Sequence, residues 1–307
     1  MAALYTKALR NADNSVAIRQ SQRDWLRLVR NQCTTVDCLG AAYDRRIAAL
    51  ATGRALELDA SISALKAVDP AATSGVQYLP ASQDSKPYED WLEQNQLFES
   101  AIALARRAAP GMPLPKVVGW ECDTNRGAFY VSQQDLVVVC YQFVAEIASY
   151  HVGRLQDPST NATVEGRRMF TAIEFAVLHE IGHSLLHRRK ALGSLGSEET
   201  EADSFASVVL LSNEPDINDV VESAVSIWGL TSTFGMKEQN GWEDYSDEHA
   251  LPQQRFANYA CLALGRNPAF GQWIMKTSVL KPQRAQRCAN EWERAAAGLH
   301  TLVFAGR

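Results

Sequence analysis

Residues 170–186 read FTAIEFAVLHEIGHSLL, and this stretch decides the fold. It is apolar over Phe170–Leu178 and again over Ile181–Leu186, with His179, Glu180 and His183 set between. That pattern predicts a central, buried helix. Positions i and i+4 share a helix face, so His179 and His183 can reach one metal ion. Glu180 stands beside them, placed to take a proton from a metal-activated water. Imidazole and carboxylate groups are costly to bury without partners, and a zinc ion would satisfy all three. The competing reading is a pair of hydrogen-bonded core histidines with an ion-paired glutamate.

A catalytic zinc site needs a third protein ligand. The metzincin pattern would continue with glycine and a third histidine; Leu186 and Arg189 stand there instead. His187 lies one turn beyond His183, but three successive turns cannot converge well on one tetrahedral ion. Downstream, residues 197–206 (SEETEADSFA) begin with a serine and acids, as a helix start should, and then turn apolar. Glu199 and Asp203 are at i and i+4. The stretch resembles the E-x-x-x-D of gluzincins such as the thermolysin-like enzymes, and the E-x-x-A-D of CAAX-type membrane proteases. That resemblance implies Glu199 as third ligand and Asp203 as the outer partner of a ligand histidine, His179 for preference. Glu198 and Glu201 are read as dipole complement and solvated face, with Glu198 the alternative ligand.

Farther out, residues 116–143 are read as an antiparallel β-meander, with Cys122 and Cys140 facing across it. Downstream, Tyr245, Asp247-Glu248-His249 and Arg255 form a polar cluster leading into an apolar helix. Gluzincins commonly place a His, Tyr or Arg where the oxyanion forms, which makes Tyr245, His249 and Arg255 catalytic candidates by that resemblance. The alternative is a helix cap with surface ion pairs. Cys261 and Cys288 are expected to tie this helix to the last one. Taken in order, residues 122–143, 175–186, 198–206 and 247–265 resemble a bacterial metallopeptidase family of uncharacterised function, over roughly residues 90–290.

The N-terminal part reads differently. Residues 4–66 show helical periodicity, broken by a polar turn between Cys33 and Cys38 that a disulfide could staple. Residues 21–50 resemble the small helical domain of LprI-type, lysozyme-inhibitor-like proteins, which are exported from bacteria. The likeness supports export; lysozyme inhibition is not carried over. The expected organisation is a helical hairpin domain over 1–68, a Pro/Ser/Ala/Gly-rich linker over 69–87, and a zincin-like domain over 88–307.

Composition agrees with a globular chain: 307 residues, 46% apolar and 21% charged, with enough apolar material for a sizeable core. A net charge of -5 and the lack of a basic stripe argue against nucleic acid. The longest apolar run, Leu136–Ala148, is interrupted by Gln142 and Glu146, so no integral membrane segment is expected. Met1–Gln20 has no apolar signal core, while six cysteines without zinc-ribbon spacing point to an oxidising compartment. A periplasmic or secreted chain with its leader removed is the expectation. Asn161-Ala162-Thr163 matches a glycosylation sequon and is read as coincidence.

The fold expected is α+β and zincin-like: mostly helical, with a small antiparallel meander, preceded by a helical hairpin. The function expected is zinc-dependent hydrolysis of a peptide or protein substrate, with Zn2+ on His179, His183 and Glu199 and Glu180 as general base. The alternatives are an exported binding or inhibitor-type protein with an inactive core, meeting a cell-wall or envelope partner through its N-terminal domain, or a zinc amidase acting on cell-wall peptides.

Overall fold

The computed structural model describes residues 75–122, 127–189, 198–213, 219–224, 250–270 and 279–304, with isolated positions 22, 30, 43, 46, 47, 50, 227 and 274. The chain divides into two compact units. The first comprises Met1–Thr73 with Glu121–Gly127; among its described residues, Arg46 donates from Nε to Gln22 Oε1 at 3.1 Å. The expected 33–38 hairpin turn lies outside the described residues. The second unit, Ser74–Trp120 with Ala128–Arg307, holds everything described below except Cys122.

The α+β class holds: the described residues form one four-stranded sheet and a majority of helix. The strands are β1 (Val76–Tyr78), β2 (Lys116–Trp120), β3 (Ala128–Val131) and β4 (Leu136–Cys140). Their spatial order is β1-β2-β4-β3, with β1/β2 and β2/β4 parallel and β3/β4 antiparallel. The expected antiparallel meander is therefore corrected to a mixed sheet. The expected hairpin survives as β3–β4, but β2 pairs with β4 rather than with β3, in the register Val117↔Val137. The physical reason is visible in β4 itself. Leu136-Val137-Val138-Val139-Cys140 is buried at every position, as a central strand covered on both faces must be. An end strand of a meander would instead alternate.

Two further expectations change. The stretch read as a linker contains β1, so its apolar Val76 belongs to the sheet. The β-reading of 116–143 overran: β4 stops at Cys140, and Tyr141 opens a helix. The long apolar run is a strand followed directly by a helix.

The longer helices described in this unit are α1 (Lys86–Gln94), α2 (Leu97–Ala108), α3 (Tyr141–Arg154), α4 (Ala162–Arg188), α5 (Glu198–Asn213), α6 (Pro252–Arg266) and α7 (Cys288–Phe304). The helix α4 is the axis of the core. It packs against α2, α3 and α5 and against β3 and β4. From Thr171 to Leu186 only Ala176 escapes full burial, which is why its sequence is apolar on all sides. A disulfide joins Cys261 of α6 to Cys288 of α7, as expected. Cys122 and Cys140 are each half of a disulfide. Among the described residues no helix is long and apolar enough to cross a membrane.

Candidate metal centre

The site is built from two helices, and local chemistry starts both. The side chain of Asn161 caps α4, accepting from the backbone amides of Thr163 at 2.9 Å and Val164 at 3.2 Å. That satisfies two orphan amides of the first turn and sends a straight helix into the core. Glu198, Glu199 and Glu201 crowd the first turn of α5, where carboxylates complement the positive end of the helix dipole. The helices meet at Gly182. A Cβ there would stand 3.1 Å from the Ala202 Cα and 3.3 Å from the Phe205 Cδ1. A glycine there lets the start of α5 approach the histidine-bearing turn without the shift of a few tenths of an ångström that a Cβ would require.

The close approach brings three donor atoms together. His183 Nε2 lies 3.1 Å from His179 Nε2. Glu199 Oε2 lies 3.2 Å from His179 Nε2 and 3.4 Å from His183 Nε2. A tetrahedral zinc ion with bonds of about 2.0–2.1 Å would hold its ligand atoms about 3.3 Å apart. The triangle has that size. His179, Glu180 and His183 also offer atoms within 4.8 Å of one another, but Glu180 Oε1 stands 3.9 Å from His179 Nε2 and is the looser candidate.

Burial makes the arrangement demanding. His179, Glu180, His183 and Glu199 are 5%, 6%, 2% and 5% exposed, so water cannot screen their charges. Among the described residues, four carboxylates gather here (Glu180, Glu198, Glu199 and Asp203) against one guanidinium, Arg255. The deficit of positive charge is legible in His183. Burial pushes its imidazole down, but Glu198 and Glu199 overcome this and raise it to about 10. Two imidazole nitrogens 3.1 Å apart beside a carboxylate are spaced to share a positive charge, either a proton or a metal ion. The Glu180 Oε2 is buried with no hydrogen-bond partner among the described residues, which is where a water molecule's proton could be received. The residues present thus fit a divalent ion.

A second layer orients the first. Asp203 Oδ1 lies 2.8 Å from His179 Nδ1. Arg255 donates to the same carboxylate twice, from Nε at 2.7 Å and from Nη2 at 2.6 Å. Burial would raise the Asp203 carboxyl, yet His179 and then Arg255 hold it down at about 2. A bidentate guanidinium–carboxylate pair is also geometrically specific, so the acid is held at one orientation. Glu198 Oε1 lies 2.8 Å from His183 Nδ1.

Most of the expected site residues therefore converge. His179, Glu180, His183, Glu199 and Asp203 form one cluster. Arg255 joins it from α6, with two nitrogens bonded to Asp203. Tyr245 and His249 lie outside the described residues. His187 is exposed and packs its ring edge-to-face near Tyr130, at 6.2 Å. The residue that sequence reading underrated is Glu198. Its signal was adjacency to Glu199, which also suited a plain helix start.

One more contact bears on the surroundings. Asp135, in the β3–β4 turn, accepts from Tyr130 Oη at 3.0 Å and from Ser184 Oγ at 2.7 Å and pairs with Arg188. It fastens the edge strand β3 to the turn of α4 that follows His183.

Residues 78–303 match the DUF4344 family, whose description is "Putative metallopeptidase"; the match covers well over half of the chain. No curated protein and no solved structure gives a match.

Proposed function

This chain belongs to the DUF4344 family of metallopeptidase-like proteins, and from that premise we propose that it is a zinc-dependent peptide hydrolase. His179, His183 and Glu199 would hold the ion, and Glu180 is the general base. The observation that carries the reading is the triangle of donor atoms with edges of 3.1, 3.2 and 3.4 Å. Two imidazoles and one carboxylate are a catalytic set of zinc ligands and leave one position for solvent or substrate. A bound zinc ion would polarise the scissile carbonyl and make water acidic enough to be deprotonated near neutral pH.

The chain's own residues do the proton work. Glu180 takes one proton from water as the oxygen attacks the carbonyl carbon. It returns that proton to the amide nitrogen as the C–N bond breaks, so the products are a carboxylic acid and an amine. Asp203, fixed by Arg255 and 2.8 Å from His179 Nδ1, favours a proton on that nitrogen and so leaves the ring's Nε2 lone pair turned inward. The edge strand β3 packs against α4 and, among the described residues, pairs within the sheet along one side, and we propose that an extended peptide lies along its other side by backbone pairing. The disulfides and the cysteine usage support a periplasmic or secreted setting.

Elemental analysis of the purified chain and of Glu199→Ala tests the reading. About one zinc per chain is expected, lost or much weakened in the variant. No zinc in either protein after reconstitution would overturn it and favour an exported binding protein with an inactive core.

A further inference from the structure

We propose that Glu198 is a positioning residue for His183, the counterpart of Asp203 on His179. This rests on the metal site proposed above. The geometry is paired: each histidine turns Nε2 toward the other and toward Glu199, and each has Nδ1 2.8 Å from a carboxylate oxygen of α5. Donation from His183 Nδ1–H to Glu198 fixes the tautomer whose Nε2 lone pair faces the ion position. It also makes that nitrogen a better ligand. A single helix end thus supplies the third ligand, Glu199, and the outer partners of both other ligands, Glu198 and Asp203.

The two outer partners differ in one respect. Asp203 is mostly buried and clamped twice by Arg255, whereas the Glu198 side chain is 43% exposed. Glu198 holds its histidine from the solvent side.

A competing account gives Glu198 only the generic role of a negative charge at a helix start. Glu201 separates the two. It lies in the same first turn of α5, while the two Nδ1 atoms are met by Asp203 and Glu198. The test is zinc titration of the full chain, comparing wild type with Glu198→Gln and Glu201→Gln, together with thermal unfolding of each without zinc. Glu198→Gln is expected to raise the zinc dissociation constant by about 10- to 100-fold, the usual effect of losing an outer-shell partner. Glu201→Gln is expected to stay close to wild type, and the two variants should melt alike without zinc. Equal zinc affinity in wild type and Glu198→Gln, or equal weakening by both variants, would overturn this inference and leave the metal site standing. A wild-type chain that binds no zinc would overturn the metal site and this inference with it.

Discussion

The helix α4 carries two buried clusters of charge, one near each end, and they are built to opposite rules. Near its start, Glu165 is 2% exposed and is met by His151 Nδ1 at 2.7 Å, Arg154 Nε at 3.1 Å and Arg168 Nη1 at 2.8 Å. Arg168 reaches on to Asp219 at 3.2 Å and Glu222 at 2.6 Å. Burial would raise the Glu165 carboxyl, but these partners hold it below its ordinary value, while burial keeps His151 low. Acids and bases balance there. Near the other end the acids outnumber the bases, and the imidazole nitrogens face each other and a carboxylate. A buried carboxylate ringed by guanidinium groups is a staple between helices. A buried carboxylate facing two imidazole lone pairs asks for a metal ion. The central carboxylates of both clusters are buried, so burial does not separate them; the balance of charge does.

That comparison can be broken or sharpened by four changes. The largest effect belongs to Glu180→Gln: peptide hydrolysis should fall by about 10²–10⁴-fold with zinc content unchanged, measured by turnover and elemental analysis on one preparation. Full turnover in that variant would remove Glu180 as the base. Glu165→Ala should do the reverse. It takes a buried acceptor from His151, Arg154 and Arg168, of which Arg168 keeps Asp219 and Glu222 and Arg154 is partly exposed, so denaturant unfolding should show a loss of about 1.5–3 kcal/mol, while zinc affinity holds. If zinc affinity fell in step with stability, the two ends would be one cluster.

Next comes Gly182→Ala. The added methyl would meet the Ala202 backbone at 3.1 Å, so α5 must shift. Overpacking of this kind costs about 1–3 kcal/mol, and zinc affinity should drop with it because Glu199 rides on α5. An unchanged affinity would mean that Glu199 does not depend on that close approach.

The smallest effect is in pH. The carboxyl of Glu165 is depressed in the folded chain, so its stabilisation is complete above the ordinary glutamate value and is lost as the pH falls through the depressed one. Acid unfolding of zinc-free protein should therefore show a shallower dependence on pH in Glu165→Gln than in wild type. Equal slopes would assign the acid sensitivity to other carboxylates.

The candidate site was more legible than the sheet. His179, Glu180 and His183 declare themselves because an i, i+4 pair with an acid beside it has little other reason to interrupt an apolar helix. Glu199 and Asp203 were legible only through the likeness of their stretch to the gluzincin E-x-x-x-D, with Glu198 left open as the alternative ligand. Strand order was not legible, because β2, β3 and β4 are all short apolar runs and nothing local says which edges pair. Only the uniform burial of Leu136–Cys140, which its unalternating sequence foreshadows, marks it as central. Val76–Tyr78 was hidden for a related reason: three residues are too few to show a period, and the flanking Pro, Ser and Ala looked like a linker.

What the sequence determined by itself is the chemistry of the individual groups and their spacing along each helix, since helical geometry converts spacing into a shared face without help from the rest of the chain. The tertiary structure decided which faces meet. It placed Glu199 rather than Glu198 at the imidazole lone pairs, gave Glu198 to His183, and brought Arg255 across 52 residues to hold Asp203. Those choices depend on how closely α4 and α5 approach at Gly182 and on the rotation of each helix about its axis. Both are set by packing among distant residues, and no local pattern records them.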